Sequence, residues 1–118
     1  MSSTNNETNS TEATQTLITS RTKKVRFYIP ISKPGAEETV EKVIRELCKR
    51  FGGATRLPAK GAYVMADGEL VLEDVAIVDC FGVDRGLSDL STIAFEIKET
   101  LGEETVAFEI MNTATAFA

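Results

Sequence analysis

Histidine is absent from all 118 residues of the chain. That removes the commonest general base, every Ser-His or Cys-His nucleophile pair and most transition-metal sites. Catalysis here would need carboxylates, Lys, Tyr or Arg. Two cysteines, Cys48 and Cys80, are too few for a structural zinc site within one chain, which usually takes four Cys or His ligands. They are expected to be two small buried hydrophobes, with a redox pair as the alternative. Three acidic pairs, Glu37-Glu38, Glu73-Asp74 and Glu103-Glu104, have the residue type for acid–base work or Ca²⁺. Neighbours on a strand point to opposite faces, so Glu73 and Asp74 cannot act together. The other two pairs fall at helix ends and read as solvated. The sequence therefore assigns no catalytic residue, no metal ligand and no cofactor.

The remaining constellation is cationic: Arg50, Arg56 and Arg85, together with the Gly52-Gly53 turn, Gly86 and Ser88. Helix N-termini favour anions, and nearby guanidinium groups add charge-assisted hydrogen bonds. If the fold gathers these residues at the start of a helix, they form a candidate site for a phosphate or carboxylate. The competing reading pairs Arg85 with Asp84 or Asp89, an exposed interaction of about 0–1 kcal/mol. Neither a Walker pattern nor GxGxxG occurs, so a nucleotide is not specifically signalled.

The elements that must position these residues follow from periodicity. Residues 1–22 are nearly all Ser, Thr, Asn, Glu and Gln, and are expected to be a disordered tail ahead of one domain, residues 23–118. Lys23 to Ile31 alternates, with Val25, Phe27, Ile29 and Ile31 on one face. A helix is predicted from Ala36 to Phe51, its stripe formed by Val40, Val43, Ile44, Leu47 and Phe51. Gly52 is a plausible left-handed terminator. A broken strand follows, Ala54 to Leu57 and Gly61 to Met65, with Pro58 restricting it to a sheet edge. Asp67-Gly68 signals a tight hairpin turn into a long strand, Leu70 to Phe81, apolar on both faces and therefore central. A second helix is predicted from Ser88, its candidate N-cap, to Leu101. A last strand is predicted from Glu104 to Met111, and Thr113 to Ala118 carry no signal.

The order β-α-β-β-α-β with a tight central hairpin specifies a ferredoxin-like split βαβ sandwich of class α+β. Its four-stranded antiparallel sheet has strand order 4-1-3-2 and two helices on one face. The Pro58 strand falls at an edge, where proline is tolerated. The second face is left uncovered, and parity places Tyr28, Val71, Val75, Ile77 and Ala107 on it, possible interface residues, with Arg26, Glu73 and Glu109 rimming or interrupting them. Such a face usually meets a partner, which predicts a homodimer or higher homo-oligomer.

Three further stretches carry a resemblance: Phe51-Gly52-Gly53-Ala54-Thr55, Gly61-Ala62-Tyr63, and Asp67-Gly68-Glu69-Leu70-Val71 with Glu73. Over about residues 25–111 the pattern F-G-G-x-T, G-x-W or G-x-Y, D-G-x-L and a following Glu resembles a group of small ferredoxin-like proteins of bacteria and phages. The resemblance implies the fold and brings no activity with it. Tyr63 stands where that group commonly has Trp, which removes one stacking surface.

Composition narrows the function classes. A net charge of −5 argues against nucleic acid or an anionic membrane surface as partner. No apolar run approaches a membrane span and no signal peptide opens the chain, so a cytoplasmic protein is expected. The sequence reads first as a non-enzymatic binding or regulatory module that assembles through its open sheet face. A small-molecule or anion sensor, ACT- or PII-like by fold analogy, is the alternative, with the anion near Arg85. An enzyme of the dimeric α+β-barrel kind, with a pocket walled by Tyr28, Tyr63 and Arg26, is a third.

Overall fold

The structure, a computed structural model, describes residues 18–116. In chain order it has strand β1 (Ile18–Pro30), helix α1 (Ala36–Phe51), strands β2 (Thr55–Val64) and β3 (Leu70–Phe81), a 3-10 turn (Asp84–Gly86), helix α2 (Leu87–Leu101) and strand β4 (Phe108–Ala116). The strands form one antiparallel sheet in the order β2-β3-β1-β4. This is the ferredoxin-like arrangement, with β1 and β3 central.

Helix α1 forms because Val40, Val43 and Leu47 recur at helical spacing and all are buried. Glu37 and Glu38 in its first turn and Lys49 and Arg50 in its last suit the helix dipole. Gly52 ends it at φ 99°, a conformation other residues adopt only under strain, and its N–H bonds the Cys48 carbonyl at 2.9 Å. Helix α2 buries Leu90, Ile93, Ala94, Ile97 and Leu101 and leaves Phe95 outside its stripe, exposed. Both stripes pack on one sheet face, formed by Val25, Phe27 and Ile29 of β1 with Ala76, Val78 and Cys80 of β3. Each large side chain buried there contributes about 1.5–3 kcal/mol. Phe108 extends this layer from β4, its ring stacked 5.7 Å from that of Phe27.

Several bounds differ from the sequence reading, each for a physical reason. Strand β1 begins at Ile18, so residues 18–22 belong to the sheet; the rest of the predicted tail lies outside the described residues. That polar stretch has no apolar alternation to reveal it, because it is held by backbone pairing to β4. Strand β2 is continuous through Pro58, which an edge position allows. Strand β4 starts four residues later than predicted and runs into the segment that carried no signal as far as Ala116, the remainder lying outside the described residues. Val106 still packs on the core, but from a loop. Ser88 does not cap α2: the capping position is Gly86, without a side-chain bond, and Ser88 lies exposed inside the helix. Cys48 is exposed rather than buried, while Cys80 is buried as expected.

The sheet is stepped. Strand β1 pairs with β3 only from Pro30↔Val75 onward, whereas β2 and β3 stay paired out to Val64↔Leu70. The hairpin thus projects as a two-stranded arm, and the molecule measures 71 × 30 × 20 Å. Leu70 and Leu72 share the parity of the core residues but lie beyond the helices, so both are exposed.

Candidate functional site

The face opposite the helices is built from cross-strand neighbours. Arg26 of β1 stands between Asp79 of β3 and Glu109 of β4, Tyr28 stands opposite Ile77, and Lys24 opposite Phe81. Directly opposed residues of antiparallel strands share a face, so these side chains gather. Asp79, only 5% exposed, is the centre of the group. The Arg26 guanidinium donates from Nε to Asp79 Oδ1 and from Nη2 to Oδ2, both at 2.8 Å. Lys24 Nζ lies 3.2 Å from Asp79 Oδ2 and 5.2 Å from the centre of the Phe81 ring. Beside them the Tyr28 hydroxyl donates to Glu109 Oε1.

The electrostatics follow from those bonds. The Arg26 hydrogen bonds, with Lys24 adding to them, hold the Asp79 carboxyl below the usual carboxylate range against the opposing effect of burial. Arg26 is raised in turn, chiefly by Asp79. The bond to Glu109 and partial desolvation raise the Tyr28 phenol, so it stays protonated and able to donate at neutral pH. The group therefore carries fixed charges of both signs at one end of the apolar residues of this face.

A cavity of about 410 Å³ adjoins it, lined by Phe51, Gly52, Gly53, Ala54, Thr55, Asp79 and Phe81. Asp79 is the charged residue of that lining, and two phenyl rings bound it. Cys80 Sγ donates to the Gly53 carbonyl at 3.1 Å, and burial pushes its thiol up to about 11. A second cavity, about 300 Å³, lies between the helices over Val43, Ile93 and Ile97; no charged side chain is buried in it.

The arginine constellation is only partly assembled. Arg50 does reach the start of α2, where it lies 2.7 Å from Asp89, and it also bonds Glu46 at 2.9 Å. Gly86 packs against Phe51, so the Gly52-Gly53 end of α1 and the start of α2 are neighbours. Arg56 goes elsewhere, to a bidentate pair with Glu37 at 2.8 Å. Arg85 is exposed on the 3-10 turn. Carboxylates of the chain occupy both Arg50 and Arg56, and the charged residue that lines the cavity beside Gly52 and Gly53 is Asp79, itself paired with Arg26 and Lys24.

On the open face Val75 is already buried at 8% exposure, Tyr28, Val71 and Ile77 are half-buried, and Ala107 is exposed. Arg26 and Glu109 lie in the register row next to Tyr28, Ile77 and Ala107, at one end of these apolar residues. Sequence reasoning missed Asp79 and Lys24. The available signal was Asp79 itself, a charge continuing the parity of Val75 and Ile77 on a central strand. Among the described residues no cluster of metal-ligating side chains occurs, and no helix is long and apolar enough to cross a membrane.

No protein-family model matches the chain, and no curated protein matches it. Solved structures do. A phage SAM lyase in complex with S-methyl-5'-thioadenosine superposes with a TM-score of 0.58 at 17% identity, covering 81% of this chain and 90% of that one. CutA from Synechococcus elongatus gives 0.55 at 8% identity, covering 84% and 83%. The phage SAM lyase in its apo state gives 0.50 at 16% identity, covering 82% and 89%. At these identities the likeness is one of fold, shared by a lyase and by CutA.

Proposed function

We propose that the chain assembles with copies of itself through its open sheet face, and that the carboxylate–tyrosine cluster of that face binds S-adenosylmethionine and cleaves it as a lyase. The observation that carries this reading is the cluster itself: Asp79, Arg26, Tyr28 and Glu109 meet on the bare face with aromatic rings beside them. Its fold is shared with a lyase whose complex holds S-methyl-5'-thioadenosine. S-adenosylmethionine carries a sulfonium cation, a purine and an amino-acid end. The Glu109 carboxylate favours the cation, Phe81 and Tyr28 offer rings to the purine, and Lys24, held by a single 3.2 Å contact to Asp79, suits the substrate carboxylate, while the Arg26–Asp79 pair fixes the face around them.

The chemistry requires little of the protein. The methyl and adenosyl groups both remain on sulfur in S-methyl-5'-thioadenosine, so the bond that breaks joins sulfur to Cγ of the four-carbon amino-acid chain. Its electron pair stays on sulfur, which becomes a neutral thioether. Cγ takes an oxygen of the substrate's own carboxylate instead, closing a five-membered lactone with no outside nucleophile and no net proton transfer. Such a step is accelerated by holding the carboxylate in line behind Cγ, and it does not call for histidine. The absence of that residue therefore weighs less against an enzyme of this class than against a hydrolase.

The test is incubation of the purified chain with S-adenosylmethionine and chromatography of the products. S-methyl-5'-thioadenosine should appear, and Tyr28→Phe and Glu109→Gln should each slow its formation at least tenfold. No product and no binding overturns the reading. A raised melting temperature without turnover returns the chain to a non-catalytic binding module.

A further inference from the structure

We infer that one copy of this chain joins the next by lapping its β2–β3 arm against the terminal β1–β4 ribbon of its neighbour, head to tail. The steps of the sheet carry the inference. Among the described residues the arm leaves β3 without a neighbour on its β1 side from Leu70 to Glu73. At the opposite end, β1 and β4 remain paired at Thr22↔Thr113, Arg21↔Ala114 and, across a register shift, Ile18↔Ala116 after β3 has ended at Phe81, and no described residue pairs with β1 there on its β3 side.

The backbone hydrogen bonds fix which groups face these edges. Ile31 N–H donates to the Asp74 carbonyl at 3.0 Å, so even-numbered residues of β3 face β1. Leu70 and Leu72 continue that set with no described residue opposite them. The Lys23 carbonyl accepts from Gly82 and Val83, so odd-numbered residues of β1 face β3, and the Arg21 backbone is the next in line. Each edge is four or five residues long, about 15 Å. Strands β1 and β3 already pair antiparallel within the chain. A second copy set end to end therefore brings a bare β3 edge beside a bare β1 edge in the pairing the sheet already uses.

Energetics favour the lap. A two-stranded ribbon is marginal by itself, and a bare edge is a template for pairing. The arm also exposes Val64, Leu70 and Leu72 at 65%, 61% and 66%. Its charges are Asp67, Glu69, Glu73 and Asp74 against Lys60, while Lys23 and Lys24 lie at the root of the ribbon. The contact joins two different surfaces, so it builds a ring or a filament of three or more copies rather than a two-fold dimer. This goes beyond the sheet-face reading, which names no strand edge and fixes no symmetry.

Leu72→Pro tests it, because proline removes the donor on the bare edge and takes no bond from the β2 ladder. Light scattering on the full chain should show three or more copies, and the variant should fall to at most the two copies that the sheet face can hold, while Leu72→Ala stays largely assembled. Amide exchange on the parent gives a second measurement should the proline variant misfold. The Leu70 and Leu72 amides should be protected at assembling concentration and exchange at least tenfold faster on dilution. A monomeric or strictly dimeric parent, or fast exchange of those amides in the assembly, overturns the lap. So does a Leu72→Pro variant of unchanged mass, and that result leaves cleavage of S-adenosylmethionine untouched.

Discussion

Replacing Asp79 by Asn should destabilise the fold in a way that depends on pH. The side chain keeps its shape but loses its charge, leaving Arg26 and Lys24 without their shared carboxylate. Two guanidinium bonds of 2.8 Å and one ammonium contact of 3.2 Å converge on a side chain 6% exposed. Charge-assisted hydrogen bonds contribute about 1.5–3 kcal/mol each, and breaking one side of a fully buried ion pair costs about 3–5 kcal/mol. Arg26 and Lys24 are 27% and 18% exposed, so water recovers part of that loss and the expected cost is about 2–3 kcal/mol. For a domain of this size each kcal/mol lowers the melting temperature by about 4–8 °C. Thermal melts of parent and variant at neutral pH should therefore differ by about 10–20 °C. The folded carboxyl titrates below its unfolded value of about 3.9, so its contribution is complete above that value and is lost as pH falls through the lowered folded value. The gap should be constant from pH 5 to 8 and close in stronger acid, where the parent loses what the variant already lacks. Equal melting at neutral pH, or a gap that widens in acid, would refute the assignment of Asp79 as the electrostatic centre of the face.

Three further outcomes follow from local geometry. Gly86→Ala should cost about 1–3 kcal/mol in a denaturant titration, because its Cβ would stand 2.6 Å from Phe51 Cζ, and Phe51→Leu should recover part of that loss. In native protein at pH 8, a thiol reagent should modify exposed Cys48 quickly and Cys80, buried and pushed up to about 11, only after denaturation. Ultraviolet titration should show one tyrosine ionising above the ordinary range, and Glu109→Gln should bring it back, because the bond to that carboxylate is the main cause of its rise.

The fold was legible because its signals are local. The α1 stripe, the Gly52 terminator, the Asp67-Gly68 turn and the apolar run of β3 each sit within a dozen residues, and Pro58 allowed an edge only. What escaped depends on pairing. Residues 18–22 and 113–116 carry few apolar side chains and become strands by bonding each other. Val106 has the parity of a strand residue and packs on the core, yet its backbone stays outside the ladder. The Asp79 cluster required a register: Arg26 and Asp79 are 53 residues apart, and nothing short of the β1–β3 alignment sets them opposite one another. The arginine set failed for the converse reason. Topology brought Arg50 to the start of α2, but acidic residues within side-chain reach, Glu37, Glu46 and Asp89, took up Arg50 and Arg56.

The position of Asp79 also bears on why a charge stands there at all. It follows Val75 and Ile77 on a central strand, and an apolar residue would complete the same face without desolvating a carboxylate. Buried ionic groups replaced together by apolar ones of similar volume commonly leave stability unchanged or improved by about 1–4 kcal/mol. Removing Asp79 alone strands its two cations, whereas exchanging Asp79, Arg26 and Lys24 together for apolar residues removes the need for any of them. The joint variant should therefore melt at or above the parent whatever the cluster does, and its melting does not decide the role. What decides it is binding: if the charges meet a charged substrate, the joint variant stays folded and loses binding and turnover, whereas unchanged binding in a folded joint variant removes the cluster from the site.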